Sequence, residues 1–397
     1  SFSSCSSWFK CFLRHLNSLC PLWFIFTNKE LIMEKAILLG AIVTFGFGLF
    51  SRLADRSPIT APMVFVGVGL LFGPLGLGVF AVEMNTTVVS VIAEITLVLV
   101  LFVGASVIDV RSLLKGYKIP VRLLFIGLPL TMFLGAIIAR QFFPGMNPWL
   151  LTMMAFILSP TDAALGQAVV ESEDVPRKTR DSIAVESGLN DGIALPPILA
   201  CMSVLSASAG AHLATGYWAK FALEHIVLAP VVGGGVGWLG GVLVDRASKR
   251  GWMNPTFQRL TSIALAILVY AIAEALGGNG FIAAFFGGLL LGTKTPEVRK
   301  QVQAFGDTEG QQLMLFVFLI FGLVMVPFAA KYWDMKALFY AVLSLTVIRM
   351  VPVAISLIGT RLDWGTVSFI GWFGPRGIAS VLYLLMVAQT LGVKGHE

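Results

Sequence analysis

Charge is what this sequence has least of. Asp, Glu, Lys and Arg make up 13% of its 397 residues and hydrophobic residues 57%, a balance too apolar for a soluble fold. Cysteine is scarce as well. Three of its four copies, Cys5, Cys11 and Cys20, crowd the first twenty residues and leave Cys201 alone in the body, so no disulfide framework is expected. Acidic residues are outnumbered 22 to 28, but the resulting +6 does not point to nucleic acid, because the basic residues occupy short loops between apolar runs. The expectation is an all-α polytopic membrane protein with no nucleic-acid partner, no cofactor and no enzymatic activity.

Residues 1 to 32 differ in texture, being rich in Ser, Cys and Phe. Their apolar pieces are interrupted by Lys10, Arg14, Pro21 and Lys29, and no small-residue cleavage site follows an unbroken core, which argues against a signal peptide. They are expected to be a non-native or disordered leader, with Met33 as the natural start and residues 33 to 397 as one membrane domain.

From Met33 onward twelve apolar segments follow, each of roughly the 17 to 25 residues needed to cross about 30 Å of hydrocarbon. Their centres lie near Thr44, Val68, Val98, Thr131, Leu158, Leu195, Gly233, Leu268, Phe286, Leu319, Val347 and Leu382, and the ninth is short. Loop charges alternate with these segments. Odd loops hold seventeen basic residues, among them Arg111, Lys115, Lys118, Arg122, Arg177, Lys178, Arg180 and Arg361, whereas even loops hold four, Arg140, Lys220, Lys331 and Lys336. By the positive-inside rule the odd loops face the cytoplasm and the twelfth segment ends outside, so a further helix is expected beyond Glu397.

The stretch SPTDAALGQAVVESEDVPRKTRDSIAVESGLNDGIALPP, from Ser159 to Pro197, sets acidic residues within membrane-crossing segments. A charge at the centre of a membrane helix costs roughly 2.5 to 3.5 kcal/mol, so Asp162, Glu186 and Asp191 point to an ion or proton pathway. Pro160 removes a backbone donor and obstructs the preceding turn, which predicts an interrupted helix with amides and carbonyls free to face an ion. In the sixth segment Ser187, Asn190 and Asp191 stand at i, i+3 and i+4, the spacing of one helix face, and Glu186 lies beside it. With Thr161 they supply carboxylate, hydroxyl and amide oxygens, ligands that suit a hard monovalent cation; the absence of His and Cys argues against zinc.

Two further charges lie within apolar segments. Arg349 needs a partner, for which Glu186 and Glu94 are candidates, and Arg376 sits among Gly374, Pro375 and Gly377, where a second helix is expected to break. Breaks at corresponding places in two halves are the signature of inverted repeats whose interrupted helices cross at mid-membrane. Taken singly, these residues have plainer readings. Thr161 and Ser187 could be helix-helix hydrogen-bonding residues, Arg376 could merely satisfy carbonyl ends, and Glu94 is a structural partner or lines a cavity. Gly235, Gly237 and Gly240 spell a dinucleotide fingerprint, but no strand precedes it, and Gly233, Gly237 and Gly241 recur at the spacing of close-packed membrane helices. Gly67, Gly73 and Gly287 are expected to serve packing as well.

SPTDAALGQAVV followed by VESGLNDGIALP resembles the NhaP-type sodium/proton antiporters of the monovalent cation:proton antiporter 1 family, relatives of the animal NHE exchangers, over about Met33 to Val393. The resemblance implies Asp191 as the ion- and proton-carrying carboxylate, Asn190 as its neighbour in the family's Asn-Asp pair, and Ser187, Glu186 and Thr161 as further ion-site groups. Asp162 would accompany Thr161, Arg349 would pair with Glu186, and Arg376 would sit in the second broken helix. It also implies thirteen helices, a homodimer and a moving core domain; against that pattern the thirteenth helix is expected to be lacking here, and the Ser/Cys-rich leader has no counterpart in the family.

The expected activity is exchange of a monovalent cation, Na+ with Li+ or K+ as further candidates, for H+, one for one, in a bacterial inner membrane. A site that takes either ion needs a carboxylate whose proton affinity competes near neutral pH, which burial of Asp191 supplies. The alternatives are an intramembrane aspartyl protease with Asp162 and Asp191 as its dyad, and a cation channel.

Overall fold

A computed structural model describes residues 32–54, 59–80, 87–106, 108, 118–162, 175–206, 215–291 and 295–391. The leader up to residue 31 and the stretch 163–174, which carries the second half of the fifth apolar segment, lie outside the described residues. All regular structure among the described residues is helical.

The helices fall on the apolar segments. We number them α1 (Ile32–Ala54), α2 (Ala61–Phe72), α3 (Thr87–Ser106), α4 (Lys118–Phe142), α5 (Pro148–Ile157) and α6 (Arg177–Ser206). There follow α7 (215–249), α8 (Pro255–Ala275), α9 (Gly280–Leu291), α10 (Glu297–Tyr332), α11 (Met335–Ser356), α12 (Trp364–Trp372) and α13 (Ile378–Leu391). Six of these, α4, α6, α7, α8, α10 and α11, have the length and composition to cross a membrane, and Leu38–Ala54 of α1, Val91–Ser106 of α3, and α2, α5, α9 and α13 are shorter apolar stretches. The second and fifth segments form shorter helices than expected, the fifth because its helix stops at Ile157, just before Pro160. The twelfth segment is divided, α12 and α13 being separated by non-helical residues 373–377 around Pro375.

Several starts are written in the sequence. Asn147 accepts a hydrogen bond from the Trp149 amide ahead of Pro148, Asn254 from that of Phe257 ahead of Pro255, and Asp334 from that of Ala337. Each satisfies an amide that the first helical turn leaves without a partner. Pro196 and Pro197 do not stop α6, which runs through both to Ser206.

The chain divides into two compact units, one of residues 1–89 and 318–331, the other of residues 90–317 and 332–397. In the first, α2 lies close against the Phe321–Met325 part of α10. A Cβ on Gly69 would come within 2.6 Å of the Leu319 carbonyl oxygen, and one on Gly73 within 3.2 Å of that of Leu323. Gly67, expected to pack, faces open space instead.

In the second unit α7 packs along α9. Cβ atoms on Gly233 or Gly237 would run into the backbone at Ala283 or Gly287, and one on Gly241 would lie 2.8 Å from the Leu291 carbonyl oxygen. The four-residue glycine spacing is therefore a helix-packing seam. Ile119 and Leu123 of α4, Ile183 of α6, Val353 of α11 and Val367 and Ile370 of α12 share one buried cluster with Leu357. Ala139, Leu151, Tyr340 and Ile348 form another, joining α4, α5 and α11. These clusters fix α4, α5, α6, α11 and α12 around the polar residues described next.

Candidate functional site

Both helix interruptions lie in the second unit, and they meet. The Asp162 amide donates to the Pro375 carbonyl at 2.9 Å, and the Ile378 amide approaches an Asp162 carboxylate oxygen at 3.4 Å. Arg376 spans the crossing, with Nη1 donating to the carbonyls of Ser159 (2.8 Å) and Pro160 (3.2 Å) and Nη2 to that of Ser344 (2.8 Å). Ser380 adds a bond to the Ile157 carbonyl at 2.7 Å. Carbonyls freed where α5 stops thus find donors on the far chain, as burial requires. Gly377 is dictated by this approach, since a Cβ there would run into the Asp162 side chain.

α6 passes beside the crossing and presents two different faces to it. Ser187 donates to the Thr161 carbonyl at 2.7 Å, and Asn190 Nδ2 donates to Thr161 Oγ1 at 2.8 Å. Ser187 and Asp191, with Asp162, line a cavity of about 280 Å³ whose other walls include Thr96, Gly104, Leu313 and Ile378. Asn190 and Glu186 are not on that wall. The expectation of one shared face for Ser187, Asn190 and Asp191 is corrected here: at about 100° per residue, Asn190 is a quarter-turn from Asp191 and shares its face with Glu186. That second face is turned into protein. Asn190 is 0% exposed, and its Oδ1 has no hydrogen-bond partner among the described residues.

Glu186 meets Arg349, not Glu94. Its two oxygens accept from Nη1 at 2.8 Å and Nη2 at 2.9 Å, a bidentate pair, and both side chains are 1% exposed. With both oxygens engaged, Glu186 stands as a charge partner and not as a cavity-facing ligand. Glu94 is exposed on α3. Thr161, Asp162, Glu186, Ser187, Asn190, Asp191, Arg349 and Arg376 are therefore gathered around one crossing, from segments more than 200 residues apart in sequence in the case of Ser159 and Arg376.

One neighbour escaped sequence reasoning. Tyr383, fully buried on α13, donates its hydroxyl to the Asp191 carbonyl at 2.9 Å. A lone tyrosine in an apolar helix, seven residues after Arg376, was the only signal, and nothing in its spacing points across to α6. Phe285 of α9 is a second, its ring lying where a Cβ on Gly192 would sit. Together they close α6 against α13 and α9 at the carboxylate.

The arrangement combines a half-buried carboxylate on a cavity wall, hydroxyl and amide oxygens of the hard-ligand type, and two interrupted helices crossing next to it. The K(+)/H(+) antiporter NhaP2 of Shewanella oneidensis is 25% identical over 371 residues, covering 92% of this chain and 62% of its own length. The K(+)/H(+) antiporter NhaP of Alkalimonas amylolytica is 28% identical over 335 residues, covering 83% and 56%. The chain thus spans about three fifths of the length of these curated relatives. The solved sodium proton antiporter MjNhaP1 of Methanocaldococcus jannaschii at pH 8 has the same fold, with a TM-score of 0.71 at 17% identity, over 90% of this chain and 88% of that one. The transmembrane sodium/hydrogen exchanger family matches residues 39–397, and this chain belongs to that family.

Proposed function

We propose that the protein exchanges a monovalent cation for a proton by alternating access, one for one, with Asp191 as the carboxylate both ions share. The observation that carries this reading is the position of Asp191: on a cavity wall, beside the crossing of two interrupted helices, with Ser187 and Asp162 on the same wall. A carboxylate there can hold a proton or a cation but not both, and rocking of the surrounding helices would expose it to either side. Ser187, Asp162, Thr161 and Asn190 supply candidate oxygen ligands. Asn190 Oδ1, without a hydrogen-bond partner among the described residues, is an acceptor that an ion or water held beside Thr161 would satisfy. Glu186 acts through Arg349, holding a positive charge at the crossing without adding a second free carboxylate. Arg376 ties the two breaks together.

Sodium and potassium both remain candidate cargo. The curated relatives are named for K+ and the solved one for sodium, and the oxygen ligand set suits either. A homodimer in a bacterial inner membrane, and inverted repeats around the crossing, complete the proposal. The test is proton flux, read by a pH-sensitive dye in proteoliposomes, after separate pulses of Na+, Li+ and K+. Exchange lost in Asp191→Asn supports the reading. Undiminished flux in that variant, or proton flux needing no counter-cation, overturns it.

A further inference from the structure

A second cavity lies away from the carboxylates and carries the opposite charge. It measures about 680 Å³ and is lined by Lys118, Arg122, Lys178 and Arg361, over a floor that includes buried Ile119 and Ser182. Three parts of the chain, the first described residues of α4, the start of α6 and the turn after α11, supply these four cations, and among the described residues no carboxylate is on the wall. Among the described residues none of the four side chains has a hydrogen bond or ion pair. The two hydroxyls on the wall are already used, Ser182 donating to the Lys178 carbonyl at 2.6 Å and Thr360 to the Leu357 carbonyl at 2.7 Å.

Loop topology alone would spread basic residues along the cytoplasmic face, where they need only outnumber those outside. Here they converge. Lys178 also stands in the first turn of α6, where the macrodipole is positive and a cation is disfavoured, and that turn has no acidic residue to offset it. Arg361 adds a third oddity: its φ of 60° is the left-handed conformation that a non-glycine residue rarely adopts, and Gly359 two residues earlier has φ 82°. A turn that keeps arginine in that conformation, at the mouth of a cation-lined cavity, has a use for the guanidinium.

We propose that this cavity binds an anion carrying two phosphate groups. The volume is within the range of small-molecule sites, about 300 to 1,000 Å³, and exceeds what one inorganic phosphate fills. One helix N-terminus and four cations call for more charge than one phosphate brings, and arginine with lysine is the donor set for phosphate oxygens. Two sources share this chemistry, a soluble diphosphate and a diphosphate lipid headgroup entering from the adjoining leaflet.

The experiment uses the whole chain in phosphatidylcholine nanodiscs. One arm titrates inorganic pyrophosphate by calorimetry; the other measures, by native mass spectrometry, retention of diphosphatidylglycerol over phosphatidylcholine. Variants Lys178→Gln and Arg361→Gly are compared with Arg177→Gln, whose side chain instead pairs with Asp181 at 3.7 Å. Arg361→Gly suits the observed φ, so it removes the charge without straining the turn, and a melting curve checks that it folds. Saturable pyrophosphate binding weakened about tenfold in the first two variants and unchanged in the third establishes a soluble ligand. Lipid retention lost in the same pattern, without pyrophosphate binding, establishes a headgroup site. Absence of both, or equal weakening in Arg177→Gln, overturns the proposal.

Discussion

Arg349 and Glu186 are each 1% exposed, and each is the charge partner the other's position demands. Taking one partner away leaves an uncompensated buried charge, which costs about 3 to 5 kcal/mol, whereas replacing both with apolar residues of similar volume restores much of the loss. Glu186→Gln or Arg349→Leu should therefore lower the thermal midpoint of the purified protein markedly, and Glu186→Leu with Arg349→Leu should recover part of it. A double variant no more stable than the worse single one would show that the pair does not act as a unit. At this scale the sequence was informative: a lone arginine in an apolar segment demands an acid, and Glu186 was one of two candidates. What it lacked was the rotation of α6. Spacing alone placed Asn190 with Asp191, and only the fixed positions of Thr161 and Arg349 show that Glu186 turns to Arg349, that Ser187 and Asn190 both reach Thr161, and that Ser187 and Asp191 line the cavity without Asn190.

Helices meet in this protein through glycine, and the seam between α7 and α9 makes that measurable. Gly237→Ala sets a methyl group against the Gly287 backbone, which cannot move as a side-chain end could, and should destabilise by about 1 to 3 kcal/mol. Gly235→Ala, two residues away with nothing within 4 Å, should leave stability unchanged or raise it by roughly 0.4 to 1 kcal/mol. Equal midpoints for the two variants would remove the seam from the account. The start of α12 offers a pH test outside the apolar spans. Thr366 donates its hydroxyl at 2.7 Å and its amide at 2.8 Å to the Asp363 carboxylate, and these bonds hold that carboxyl below its ordinary range. A depressed carboxylate value makes the cap's contribution complete above the unfolded-state value and lost as pH falls through the folded one. The protection of the Thr366 amide relative to its intrinsic exchange rate should fall on acidification through that range, and Asp363→Asn, still an acceptor, should make that protection independent of pH. Element positions were legible because apolar runs and cap residues are local. The crossing was legible only as two breaks; that Pro375 would receive the Asp162 amide and Tyr383 the Asp191 carbonyl depends on contacts spanning about half the chain, which no periodicity records.

For the exchange proposed above, charge at the cavity decides what a membrane potential can do. Arg349 neutralises Glu186 and Asn190 is uncharged, so if Asp191 alone alternates between one proton and one monovalent cation, the two loaded forms carry equal charge and exchange is electroneutral. Asp162 tests that count, because it lies on the same wall and could add a second titrating group. Its carboxylate oxygen faces the Ile378 amide, at the start of α13, where the helix end favours a negative charge beside the cation. Asp162→Asn should then weaken apparent cation affinity while leaving exchange one for one, and Asp191→Asn should abolish it. In the wild type, rates should not respond to an imposed potential. Because proton and cation compete for one carboxylate, apparent cation affinity should fall as pH drops. A potential-sensitive dye alongside the pH dye reads both quantities in the same vesicles: steady wild-type flux that builds a potential means that more than one charge moves per cation and that Asp191 does not work alone, and a potential that vanishes in Asp162→Asn identifies Asp162 as the second carrier.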